Sequence, residues 1–67
     1  MAILVDDPLW PAHERMWAHL VSDTSLEELH DFAERAGLPA RGFDHDHYDV
    51  PAERLDALVA MGAEHVS

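Results

Sequence analysis

The 67-residue chain has no cysteine, no lysine, no asparagine and no glutamine. Without cysteine, disulfides and thiolate zinc sites are excluded, and the composition fits a reducing, cytoplasmic setting. Without lysine, and with only four scattered arginines, the chain lacks the basic stripe that a phosphate backbone requires, which argues against direct nucleic-acid binding. Long apolar runs are missing too. The longest, Met1 to Val5 and Ala57 to Met61, have five residues each, far fewer than a signal-peptide core or a membrane span, and no basic residue precedes the first, so no membrane contact is expected.

What is present is mostly acid. Fourteen Asp and Glu against four Arg give a formal charge of −10, with six His in addition. A hydrophobic fraction of 48% with clear periodicity argues for folding rather than disorder. The length suits one small domain over residues 1–67. Such a domain buries only roughly 60% of its unfolded surface, and its core yields no more than about 3–5 kcal/mol. Help from outside the core is therefore expected.

Ala2-Ile3-Leu4-Val5 reads as a buried strand stopped by Asp6-Asp7-Pro8. Pro8 to Trp17 reads as a structured loop in which Trp10 and Trp17, with Pro8 and Pro11, could form an exposed partner-binding patch but are expected to cover the sheet, and His19-Leu20-Val21 reads as a short second strand. Thr24-x-x-Glu27 and Ser25-x-x-Glu28 both match a capping box. Leu26, Leu29, Phe32, Ala33 and Ala36 then share one helical face, and Gly37 with Pro39 closes a helix over about residues 25–36. Asp46 to Val50 alternates like a strand. Pro51 starts a second helix carrying Leu55, Leu58 and Val59, Gly62 ends it, and residues 63–66 form a last strand.

The order strand, Asp, helix, Gly, strand occurs twice, as consecutive parallel βα units read. The expected fold is α/β: a small three- or four-stranded, mainly parallel sheet with two helices. In such a sheet ligands sit at the carboxyl edge of the strands, where Asp6, Asp7, Asp23 and Asp49 would converge with His19 and His47. Imidazole and carboxylate together suit Zn²⁺, Mn²⁺ or Fe²⁺, whereas carboxylates alone suit Mg²⁺.

Ordinary structural roles compete with this one. Asp23 and Asp49 also suit helix starts, Asp6-Asp7 a turn, and His19 a core-edge imidazole bonded to backbone. Within Asp44-His45-Asp46-His47-Tyr48-Asp49, an extended segment turns His45, His47 and Asp49 to one side, a recognised metal-site composition, although a solvated acidic loop fits equally well. His13, His30 and His65 look peripheral. Nucleophilic catalysis has little support, since Ser22, Thr24 and Ser25 are explained by the helix start and no Gly-rich phosphate loop is present.

Through Asp6-Asp7, Trp17-Ala18-His19-Leu20, Ser22-Asp23-Thr24, Glu28-Leu29 and His47-Tyr48-Asp49-Val50, the sequence resembles a family of short bacterial and phage proteins classed as domain of unknown function 4031. The resemblance spans nearly the whole chain. Related sequences run longer at the C-terminus, which implies a short or truncated member. The resemblance implies no activity, substrate or cofactor. The residues thus predict a divalent-metal-binding domain using Zn²⁺, Mn²⁺ or Mg²⁺ and, if catalytic, metal-assisted hydrolysis of a phosphoester or similar bond. The competing expectation is an acidic interaction module that docks on a basic or nucleic-acid-binding protein. Self-association through a sheet edge or the tryptophan loop fits either.

Overall fold

Alternation along each strand decides which sheet face is covered. In the computed structural model, which describes residues 2–67, β1 (Ile3–Val5) buries Ile3 and Val5. The next strands are β2 (Trp10–Ala12) and β3 (Arg15–Ser22), and β3 buries Ala18 and Leu20. After α1 (Leu26–Ala36) come β4 (Phe43–Asp44) and β5 (His47–Pro51), which buries Tyr48 and Val50. A short helix α2 (Leu55–Ala60) and β6 (Glu64–His65) complete the chain.

The strands form one six-stranded sheet of order β4-β5-β3-β1-β6, with β2 paired to the first part of β3. The pairs β1–β3, β2–β3, β3–β5 and β4–β5 are antiparallel and β1–β6 is parallel. This overturns the expected three- or four-stranded, mainly parallel sheet. The physical reason is two chain reversals that the βα reading did not allow for. Residues 10–17, read as a loop, fold into the β2–β3 hairpin, and a second hairpin, β4–β5, turns the chain back after α1 so that β5 runs against β3.

Both reversals use residues that seldom make them. His13 and Glu14 join β2 to β3 at φ 50° and 61°, and His45 opens the β4–β5 turn at φ 63°. Tight hairpins favour such left-handed angles, but Asn and Gly usually supply them, and other residues pay about 1–2 kcal/mol. Strain is therefore stored at both turns.

The helix over 25–36 forms largely as the capping pattern requires. The Ser25 hydroxyl accepts the Glu28 backbone N–H at 3.1 Å, while the Glu28 carboxylate accepts the Ser22 hydroxyl at 2.6 Å instead of closing the reciprocal box. Gly37, at φ 75°, takes the left-handed C-cap, and the Leu38 N–H returns to the Ala33 carbonyl. The second helix begins later than expected. Pro51 stays extended as the last residue of β5, and a 3₁₀ turn over Ala52–Arg54 precedes α2.

Both helices lie on one face of the sheet. Leu29, Phe32 and Ala33 of α1 and Leu58 of α2 form the core with Val5, Leu20 and Val50. The Arg54 guanidinium donates to the Ala36 carbonyl and so ties the approach to α2 to the end of α1. The opposite face has no helix over it and leaves Trp17, His19, Val21, His47 and Asp49 partly exposed. The tryptophans thus sit outside the core: Trp17 is half-buried and Trp10 is 53% exposed. Among the described residues no helix is long and apolar enough to cross a membrane.

Candidate metal centre

Cross-strand register builds the open face. His19 on β3 is paired directly with Asp49 on β5, and His47 lies two residues before Asp49 on the same face. Directly paired and diagonal side chains on one face are within reach of each other. His19, His47 and Asp49 accordingly each offer one ligand atom, all within 4.8 Å of one another.

The two imidazoles are oriented in the same way by different carboxylates. Asp6 accepts the His19 backbone N–H at 2.6 Å through Oδ1 and lies 3.0 Å from His19 Nδ1 through Oδ2. Asp46 lies 3.0 Å from His47 Nδ1. With both Nδ1 atoms held, both Nε2 atoms turn toward Asp49, whose Oδ1 lies 3.7 Å from His19 Nε2 and 3.2 Å from His47 Nε2. A carboxylate behind an imidazole fixes its tautomer and raises its basicity as a ligand. The hydrogen bond to Asp46, with the negative charge of Asp49, raises the His47 pKa above the ordinary imidazole range, against a smaller opposing effect of burial. The same bond lowers the Asp46 pKa below that of an ordinary carboxylate. Electrostatically, the cluster favours positive charge between the two rings and Asp49.

Four of the six sequence-predicted residues are thus brought together, though in two roles. His19, His47 and Asp49 present ligand atoms, while Asp6 stands behind His19. They meet on the open face of the sheet rather than at a strand edge, because the strands carrying them are antiparallel. Asp7 is not among them; its Oδ1 lies 2.6 Å from His65 Nε2. Asp23 lies beyond the other end of β3, four residues or about 13 Å of strand from His19. Its carboxylate accepts the Ala2 backbone N–H at 2.8 Å and the Thr24 hydroxyl at 2.9 Å. Asp46 completes the centre although the sequence set omitted it. The signal was its position beside His47, but an extended reading points neighbours to opposite faces, and only the turn at His45 brings the two together.

Of the histidines read as peripheral, His65 meets Asp7, and His30 also has local partners. His30 Nδ1 lies 2.7 Å from the Tyr48 hydroxyl, and its ring packs 4.6 Å from that of Phe43. Nearer the centre, the Trp10 ring tilts over His19 at 5.1 Å between centroids, and the His47 ring meets His19 edge-on at 4.7 Å.

The hydrogen bonds from Ala2 and then Thr24 lower the Asp23 pKa. A depressed carboxylate contributes stability above its unfolded-state pKa, about 3.9, and loses it as pH falls through the folded value. Asp23→Ala should therefore be less stable than the parent above about pH 4, with the difference closing in stronger acid, as followed by urea unfolding across pH. Any metal uptake measured for the parent should be unchanged in this variant, and its loss there would return Asp23 to the cluster.

A model of the family described as Protein of unknown function (DUF4031) matches residues 3–67. Comparison with curated proteins and with solved structures finds no match.

Proposed function

The chain belongs to the DUF4031 family, whose description assigns no activity, and from that premise we propose on geometry that it is a divalent-metal-binding domain with His19, His47 and Asp49 as ligands. The observation that carries this reading is the convergence of two carboxylate-backed Nε2 atoms on one Asp49 oxygen, at 3.7 and 3.2 Å. In a tetrahedral set with bonds near 2.1 Å, ligand atoms stand about 3.4 Å apart. A cation seated among the three atoms would keep positions open toward solvent. Two imidazoles and one carboxylate with open positions suit Zn²⁺, Mn²⁺ or Fe²⁺ better than Mg²⁺, which prefers oxygen ligands.

An open position on a bound cation would carry water or a substrate oxygen. The chemistry this supports is metal-assisted hydrolysis, with the ion lowering the pKa of bound water or polarising the bond under attack. The chain's own contribution is to hold the ligands: Asp6 fixes His19 by its backbone and its ring, and Asp46 fixes His47.

Calorimetric titration of the metal-stripped protein with Zn²⁺, Mn²⁺ and Mg²⁺ tests the reading. One equivalent of Zn²⁺ or Mn²⁺ should bind, Mg²⁺ should bind far more weakly, and His19→Ala, His47→Ala and Asp49→Ala should each abolish uptake. Asp6→Asn, which keeps the shape but loses the charge behind His19, should weaken binding by about 10–100-fold. Equal uptake by the parent and the three ligand variants would end the proposal.

A further inference from the structure

One groove gathers charge against the composition of the chain. It runs along the open face beside the His19–His47–Asp49 cluster and has a volume of ≈ 800 Å³. Three of the chain's four arginines line it, but only two of its 14 carboxylates, Asp44 and Asp49. In a protein of formal charge −10 the groove is close to balanced once the Arg15–Glu53 pair is counted, and a divalent ion at the cluster would make it cationic.

The three arginines are not equivalent. Arg15 is answered by Glu53 at 2.8 Å, and Arg54 is held by the Ala36 carbonyl. Arg41 has neither an ion pair nor a hydrogen bond among the described residues. An unanswered guanidinium in so acidic a chain is matched to an anion, and its planar fork suits phosphate.

The groove also has an aromatic wall. The Trp17 indole N–H donates to the Ala12 carbonyl at 2.9 Å, which fixes that ring in place. Trp10 leaves 53% of its surface exposed beside it, in a chain small enough to need its large side chains inside. Exposed indole faces stack on planar rings, and such contacts tolerate many ring types.

We infer that the groove binds a phosphoester carrying a planar aromatic ring, with the phosphate toward Arg41 and the His19–His47–Asp49 cluster and the ring against Trp10 and Trp17. The inference rests on the reading of that cluster as a cation centre and adds the class of ligand that the cation faces.

Calorimetric titration of the metal-free and the Mn²⁺-loaded protein with adenosine monophosphate, phenyl phosphate, inorganic phosphate and adenosine tests it. Both ring-bearing phosphates should bind, and more tightly with Mn²⁺ present, while inorganic phosphate and adenosine should each bind about tenfold more weakly or worse. Arg41→Ala should cost about tenfold with Mn²⁺ uptake and melting unchanged. Trp10→Ala should bring adenosine monophosphate down to the level of inorganic phosphate. Arg35→Ala removes the same charge from α1, where Arg35 pairs with Asp31 outside the groove, and should change nothing. Preference for adenosine monophosphate over phenyl phosphate would identify nucleotides as the source, and equal affinities aryl phosphates in general; either result supports the groove. Normal Mn²⁺ uptake with no phosphoester binding, or equal losses in Arg35→Ala and Arg41→Ala, would overturn the groove alone. Failure of Mn²⁺ uptake would instead remove the cation centre, and the metal-free titration would then decide the groove by its dependence on Arg41.

Discussion

Zn²⁺ added to the metal-free protein at about a hundred times its dissociation constant should raise the melting temperature by on the order of 10–20 °C. The size follows from linkage: a ligand at that concentration that binds only the folded state adds about 2.7 kcal/mol. In a domain this small each kcal/mol moves the midpoint by about 4–8 °C. Six histidines let the unfolded chain bind some zinc, so the lower half of that range is the better expectation. His47→Ala and Asp49→Ala should melt near the metal-free parent, because Asp49 is 43% exposed and His47 22%, and ion pairs open to solvent in this way contribute little in water. With zinc present, neither variant should gain. General screening of the −10 charge is the competing cause of a rise, and it acts without regard to geometry. A rise of equal size with Mg²⁺, or in the Asp49→Ala variant, would assign the stabilisation to screening and not to the centre.

The centre was only partly visible beforehand, and the reason lies in how each part is encoded. That His47 and Asp49 share a face follows from strand periodicity, which is local. That His19 faces Asp49 is a matter of register between residues 30 apart in sequence, which local patterns do not carry. The register depends on two hairpins whose turns lack the usual advertisement. A sequence such as Asn-Gly at positions 13–14 or 45–46 would have marked them, but His13, Glu14 and His45 adopt left-handed angles instead. With the reversals hidden, the repeat of strand, Asp, helix and Gly reads as parallel βα units, and the acids are then sent to a strand edge that the molecule does not have. Asp23 shows the result. Its place beside a helix start and its four-residue separation from His19 along a strand were legible, whereas which end of β1 meets each of them depended on the direction of β1, which runs antiparallel to β3 and brings Ala2 to Asp23 and Asp6 to His19. The α1 helix was read nearly to the residue because Ser25, Glu28 and Gly37 act within a few positions of themselves.

Leu20→Ala should leave the metal-free protein largely unfolded. Leu20 is fully buried on β3, between β1 and β5 and beneath the helices, and truncating such a leucine costs about 2–5 kcal/mol. A core of this size supplies about 3–5 kcal/mol in all, so the loss matches the whole margin. The next residue back, His19, faces the other side of the same strand and belongs to the candidate centre. Zn²⁺ at about a thousand times its dissociation constant adds about 4.1 kcal/mol to whatever state assembles the site, enough to offset the deletion. Circular dichroism melts should therefore show little cooperative unfolding for Leu20→Ala without metal and a restored transition with zinc. The double variant Leu20→Ala, His47→Ala should stay unfolded in both conditions, because no complete ligand set remains to favour the folded chain. Rescue of the double variant would place the stabilising zinc elsewhere, and a metal-free Leu20→Ala that melts within a few degrees of the parent would mean that the hydrophobic layer under the helices is not what holds this sheet together.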